Sequence, residues 1–570
     1  MRLRLFIICA LSCLLALSFL FDLREALAQA PNLPNLPDSG SIMRDTRESR
    51  PTPPPRRQEP EIDQGSGPGT EMDLTATETI FVRDFRVEEA VFVSESDIQE
   101  VLAPYKGRDL TMAQIQEAVA KVTELYRRAG YPVARAYLPR QTIENGLIVI
   151  RVLIGVYGST GLENNSRVRD FLIASTIRSN LEPGQPVRHK DLERAVLLIG
   201  DMPGALLPTL NMGPGKEQGT TDFFLQVPRG KRIGAYFSLD NMGSRYTGRW
   251  RLGAGLEVNS PLGLADRLTV YGLTTDSSNL MSLAAYYAFP LGASGLRLEV
   301  GYSHVAYRLA EEFEILEASG WADTLEAKLS YPLIRSAAHN LYVSLGFAHK
   351  VTHDQYRAVD FSEKSLSNLG NFQIRYEAWL QVFGRPLYAS AGAGLVFGTF
   401  RIPEEQKAFA RGADGGFSYL NFDFLANLAI TDDFYFILTA SAQQSLGQNL
   451  DSSEQFNVTG PNGVKAYREA ISGDNGYLVG AEFRHRLPWF GHRELDHFLG
   501  VFGDIGGWSY QRAPFPEKHR DTLSDIGLSY TLAFGPVGLQ ARLAQSLGRY
   551  PSELRPEKRT LGTVLVTVAF

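Results

Sequence analysis

The sequence has almost no cysteine: Cys9 and Cys13 are its two thiols, and both fall in an N-terminal segment expected to be cleaved. A mature chain without thiols can form neither disulfides nor thiolate metal sites. It suits a protein that crosses an oxidising periplasm unfolded, where stray disulfides would trap it. Long hydrophobic runs are also missing. After the N-terminus no stretch approaches about twenty uninterrupted apolar residues, which excludes a polytopic helical membrane protein. If the chain spans a membrane, it does so with strands. The nine histidines are scattered, with no His-Glu-x-x-His pair and no Gly-x-Ser-x-Gly elbow. Gly392, Gly394 and Gly398 lie in a strand pattern without the helix that a phosphate loop needs. No catalytic residue, metal or cofactor is therefore expected, and the net charge of -6 argues against nucleic acid as a partner.

What is present is strand chemistry. The 53 glycines, and the 11% aromatics dominated by Phe and Tyr, fit a strand-rich chain with many turns. At 570 residues the chain exceeds what one core usually supports, so several domains are expected. Arg2 and Arg4, an apolar run from Leu5 to Phe21, and Ala28-Gln29-Ala30 form the three-part pattern of a signal peptide over residues 1–30. Residues 31–77, with Pro51-Thr52-Pro53-Pro54-Pro55 and Gly65-Ser66-Gly67-Pro68-Gly69, read as a Pro-rich linker.

Two small α+β units of order β-α-α-β-β follow, over residues 78–154 and 155–229. In the first, Thr111 and Gln114 form a capping box, and Met112, Ile115, Val119, Val122 and Tyr126 lie on one helix face. In the second, Leu192, Val196 and Ile199 do the same ahead of Gly200-Asp201-Met202-Pro203-Gly204. From 230 to 570 the period becomes two. Phe372, Ile374, Tyr376, Ala378 and Leu380 alternate with Arg375 and Glu377; Tyr477, Val479, Ala481 and Phe483 with Glu482, Arg484 and Arg486; Leu539, Ala541 and Leu543 with Arg542. Arg249, Arg251 and Glu257 alternate in the same way with Trp250, Leu252 and Val258. About sixteen such segments predict a transmembrane antiparallel β-barrel in outer-membrane lipid, with a charged, water-filled lumen. Closure leaves no backbone amide unpaired in lipid. His485 has lipid-facing parity near a strand end. The alternation towards Phe570 resembles the signal by which outer-membrane barrels are recognised by their assembly machinery.

On these grounds the chain resembles the two-partner secretion transporters, the haemolysin activation and secretion family. Arg127-Arg128-Ala129-Gly130-Tyr131-Pro132-Val133-Ala134-Arg135-Ala136-Tyr137-Leu138-Pro139 looks like the helix-to-strand junction of the family's first polypeptide-transport-associated (POTRA) domain, and Leu197 to Gly204 like the matching motif of the second. The resemblance implies a sixteen-stranded barrel and a long extracellular loop, at about 444–474, that folds into the lumen. The family's Val-Arg-Gly-Tyr loop motif corresponds to Val464, Lys465, Ala466 and Tyr467, so lysine replaces arginine and alanine replaces glycine. Its Phe-x-Asp strand motif corresponds to Phe502-Gly503-Asp504-Ile505-Gly506, with Asp504 facing the lumen. Lys465 and Asp504 are the expected loop-barrel lock, less directional than with a forked guanidinium.

The family has an N-terminal plug helix, of which only a remnant near Ser39 to Arg50 is visible in the linker. The implied function is export of a large partner exoprotein carrying an N-terminal secretion domain, from POTRA domains in the periplasm across the outer membrane. An assembly factor of the same superfamily usually carries more than two POTRA domains. A porin needs none.

Overall fold

The computed structural model describes residues 37–48, 58–63, 79–217, 219–404, 413–488, 495–512, 520–548 and 559–570. The expected signal peptide and much of the linker lie outside them.

The first α+β unit runs through strands Thr79–Val82 and Asp84–Glu88, helix Glu95–Leu102, strand Arg108–Thr111, helix Met112–Arg128, and strands Arg135–Tyr137 and Leu147–Leu153. The capping box forms: Gln114 N donates to Thr111 Oγ1 at 3.3 Å, and Thr111 N donates to Gln114 Oε1 at 2.9 Å. Gly130, at φ +96°, takes the left-handed turn that ends the helix. Ile115, Val119, Val122 and Tyr126 pack on Phe85, Ile148 and Ile150. Met112 stays half-buried outside this core, because as the first helical residue it sits at the end of the stripe. The first two strands end by Glu88, and a strand at Arg108–Thr111 separates the helices.

The second unit has strand Val156–Asn164, helices Asp170–Asn180 and His189–Gly200, and strands Thr209–Pro214 and Thr220–Val227. Leu192, Val196 and Ile199 form its core with Ile173, Leu210 and Phe223. Burial in this core pushes the Tyr157 hydroxyl up to about 12. A segment read from sequence as plain linker adds a strand here: Glu61–Asp63 pairs in parallel with Thr209–Asn211. The edge of Thr209–Pro214 would otherwise expose unpaired amides, and an extended Pro-rich chain can satisfy them.

Sixteen antiparallel strands, from Ile233–Asp240 to Thr560–Ala569, close into a barrel, the last pairing with the first. The two faces alternate as the sequence suggests. Leu252, Phe347 and Phe483 are exposed outward, while Arg251, Lys350 and Asp504 are buried inward. Arg249 is a correction: the strand begins at Arg251, so Arg249 belongs to the preceding loop rather than the wall. His485 stacks on Phe434 at 4.2 Å between ring centres. The wall is uneven. The first four strands have 8 to 11 residues, and the four from Ala318 to Arg401 have 17 to 22. About 9–11 residues cross a bilayer, so the long strands rise beyond it on the extracellular side.

The second unit docks on the periplasmic turns through the motif noted at 197–204. Arg335 donates to both carboxylate oxygens of Asp201, at 2.7 and 2.8 Å, and Ser260 Oγ donates to Pro203 O at 2.6 Å. The same guanidinium bonds Gln58 in the linker, so linker, unit and barrel meet at one side chain.

Candidate functional site: the closed lumen

Strands Phe434–Ser445 and Asn475–Arg486 are neighbours in the barrel, and residues 446–474 between them fold back inside. The loop holds itself together before it touches the wall. Phe456–Asn457 pairs with Ser472–Gly473, Val464 N donates to Val458 O at 2.8 Å, and Thr459 Oγ1 donates to Glu469 O at 2.8 Å. Val464 and Tyr467 are fully buried with Val458, Ile471, Phe502 and Trp508. Gly506 makes room for this tip, since a Cβ there would come within 3.2 Å of a Val464 methyl.

At the tip, Lys465 Nζ lies 2.8 Å from each oxygen of Asp504. The side chains are 19% and 3% exposed, so the pair is largely removed from water. The ammonium also sits 5.1 Å from the Phe502 ring centre. Asp525, which sequence reasoning missed, completes the arrangement. It pairs with Asp504 across the strands, and it accepts from Ala466 N at 2.7 Å and from Asp504 N at 3.2 Å. A second acid at lumen parity on the next strand was the available signal. The alanine at the glycine position is thus used through its backbone amide and has no left-handed φ.

Of the expected lumen charges, only Arg542 reaches the tip, donating to Pro461 O at 3.1 Å. Glu482 pairs with Arg484 at 2.8 Å and also bonds Ser529. Glu482, Arg484 and Arg542 line a cavity of about 350 Å³ together with Lys465, Asp504 and Phe502. Arg375 pairs with Asp423 at 3.3 Å and Arg486 with Asp496 at 3.2 Å, away from the tip; Glu377 shares the inward face of its strand with Arg375. Phe570 lies at the seam, its amide donating to Ala235 O at 2.8 Å.

The sequence showed only a remnant of a plug; the structure places a helix, Ser39–Glu48, against strands Arg297–Arg308, Ala318–Arg335 and His339–Tyr356. Ser39 donates to Asp354 from both its amide, at 2.9 Å, and its hydroxyl, at 2.8 Å. Ile42 and Met43 pack among Leu273, Leu280, Val305 and Tyr307. Helix and loop are joined. Arg44 Nη1 donates to Ser452 O at 2.8 Å and Gln455 O at 3.2 Å, and a Cβ on Gly40 would lie 3.0 Å from Ser453 N. Two rungs below Asp354 on the lumen face, with Thr352 between them, Lys350 is ion-paired with Glu454 at the loop's base, and Tyr419 OH also donates to that carboxylate at 2.8 Å.

A sixteen-stranded barrel with an apolar outer face, α+β units at one mouth, and its own loop and helix bonded inside the lumen has the architecture of a plugged outer-membrane pore. The family model for the haemolysin secretion/activation protein ShlB/FhaC/HecB matches residues 219–528, and that for the ShlB-type POTRA domain matches residues 80–155. The chain belongs to this haemolysin secretion/activation family. The heme/hemopexin transporter protein HuxB of Haemophilus influenzae is 28% identical over 465 residues, 80% of this chain and 81% of that one. The outer membrane transporter CdiB of Escherichia coli is 23% identical over 450 residues, 74% and 71% of the two chains. A solved structure of CdiB from Escherichia coli has the same fold, with TM-score 0.68 and 21% identity over 93% of this chain and 95% of that one. The chain is thus an outer-membrane transporter of two-partner secretion that exports a partner exoprotein, with its POTRA domains in the periplasm.

Proposed function

We propose that this transporter exports one large, extended, haemolysin- or adhesin-like exoprotein bearing an N-terminal secretion domain, and that the helix at Ser39–Glu48 and the loop at 446–474 are a single lid which the client must displace. The observation that carries this reading is the double attachment of the lid: Lys465 bonded to both oxygens of Asp504 at the tip, and Arg44 bonded to the loop carbonyls of Ser452 and Gln455. Non-covalent anchors hold the pore shut without a client and can be exchanged for client contacts without chemistry. Nucleotide, cofactor and catalytic residues have no part. Lumen charges that pair with each other, such as Arg375 with Asp423 and Glu482 with Arg484, give a hydrated wall that grips a passing chain weakly. Folding of the passenger outside then draws export forward. Phe570 serves recognition by the barrel-assembly machinery, and membrane lipid surrounds the apolar face.

Culture supernatants of strains with and without the transporter test the reading. Loss of one large exoprotein is expected. A general decline of outer-membrane barrels would mark an assembly factor instead.

A further inference from the structure

The tall wall carries side chains that transport does not use. Cross-strand register arranges its outward residues in rows. Val300, Ala327, Phe347, Gly370 and Phe397 form one apolar row. Two rows nearer the extracellular rim, His304 and Asp323 share a row with Val351, Leu366 and Arg401; one row further, Trp321 is beside His353, and His353 beside Lys364. Arg308 stands one row above these. The Asp323 carboxylate is engaged within the wall, accepting from Tyr302 OH at 2.6 Å and lying 2.7 Å from His304 Nδ1. Lys364, Arg401 and Arg308 are exposed. The low wall lacks such a set: the outward residues of Arg251–Asn259 are Leu252, Ala254, Leu256 and Val258, and those of Leu280–Pro290 are equally without charge.

We infer that this sector is a binding site for a phosphorylated glycolipid headgroup of the outer leaflet. Lys364 and Arg401 are diagonal neighbours, about 7–8 Å apart at the backbone, so both long side chains can close on one phosphate. The guanidinium supplies a two-pronged contact and the ammonium a point charge. Trp321 sits where aromatic residues meet the membrane–water boundary and offers a face to a sugar ring. The apolar row through Phe347 and Phe397, directly below, takes the acyl chains. Charge and apolar surface follow each other in the same order as phosphate and acyl chain in such a lipid. A soluble anion would use only the upper half of this surface, and a protein partner would not need lipid beneath it.

The test uses the full chain in detergent micelles, with bound lipid read by native mass spectrometry during titration with diphosphorylated lipid A. The wild type is expected to bind lipid A at least tenfold more tightly than dephosphorylated lipid A. The double variant Lys364→Gln/Arg401→Gln is expected to lose at least tenfold, with its heat-modifiable gel mobility, the mark of a folded barrel, unchanged. Lys328→Gln, on the lumen face of the same wall, serves as the charge control and should bind as the wild type does. Equal affinity for the two lipids, wild-type affinity in the double variant, or complete competition by millimolar inorganic phosphate would each overturn the assignment.

Discussion

Replacing Lys465 by methionine should open the pore by about two orders of magnitude. Methionine keeps most of the apolar stem and removes the charge, so the loop can still pack on Phe502. What it leaves is the Asp504 carboxylate, 3% exposed, beside Asp525 at the paired position of the next strand. Breaking a buried ion pair by removing one partner costs about 3–5 kcal/mol, and the adjacent like charge adds to this. The penalty falls on the closed state, because with the loop withdrawn Asp504 is hydrated. The lower figure corresponds to a roughly 150-fold fall in the ratio of closed to open pores. Lys465→Arg should stay within a few-fold of wild type, since a guanidinium can also bond both oxygens. Lys465→Met combined with Asp504→Leu should recover much of the closed state, because an apolar pair replaces the ionic one without leaving a bare charge. Single-channel recording in planar bilayers measures the open fraction directly. If Lys465→Met stays closed within a factor of two of wild type, the ion pair does not hold the lid.

Two further outcomes follow from the lid and its periplasmic dock. Gly40→Ala places a methyl into the Ser452 hydroxyl and 3.0 Å from Ser453 N, so the loop must give way there. Overpacking of this kind costs about 1–3 kcal/mol, so spin labels on the helix and barrel should show a raised population of displaced helix while barrel assembly stays normal. Arg335→Ala removes both bonds to Asp201 together with those to Gln58 and Asn340. A loss of about 3 kcal/mol there should loosen the second POTRA unit, measured as faster amide exchange in His189–Gly200 with the strands of the barrel unaffected.

The barrel was legible because its signal is repetitive. A period of two, sustained over sixteen strands with charge on one face, survives individual irregularities such as Arg249 falling in a loop. The POTRA helices were legible for local reasons, the capping box at Thr111 and the glycine at 130 being self-contained instructions. Motif resemblance pointed to Lys465 and Asp504, and the two side chains meet. What stayed hidden is non-local. Ser39 and Asp354 are 315 residues apart, Arg44 and Ser452 are 408 apart, and nothing in a short polar helix announces that its partners are a barrel wall and a distant loop. Lys350 and Glu454 look like ordinary alternating charges until the loop folds inward and buries both. The strand at Glu61–Asp63 has three residues and exists because an edge is waiting for it.

The central claim is tested most directly by reconstitution. Purified transporter in sealed vesicles, with its POTRA domains outward, is presented with the unfolded partner exoprotein in the absence of nucleotide, and the protease-protected fraction is measured over time. Protection of the exoprotein inside the vesicles, dependent on its secretion domain and absent for an unrelated unfolded chain, is the predicted result. No protected exoprotein from transporter whose pore conducts normally in the same vesicles would contradict it.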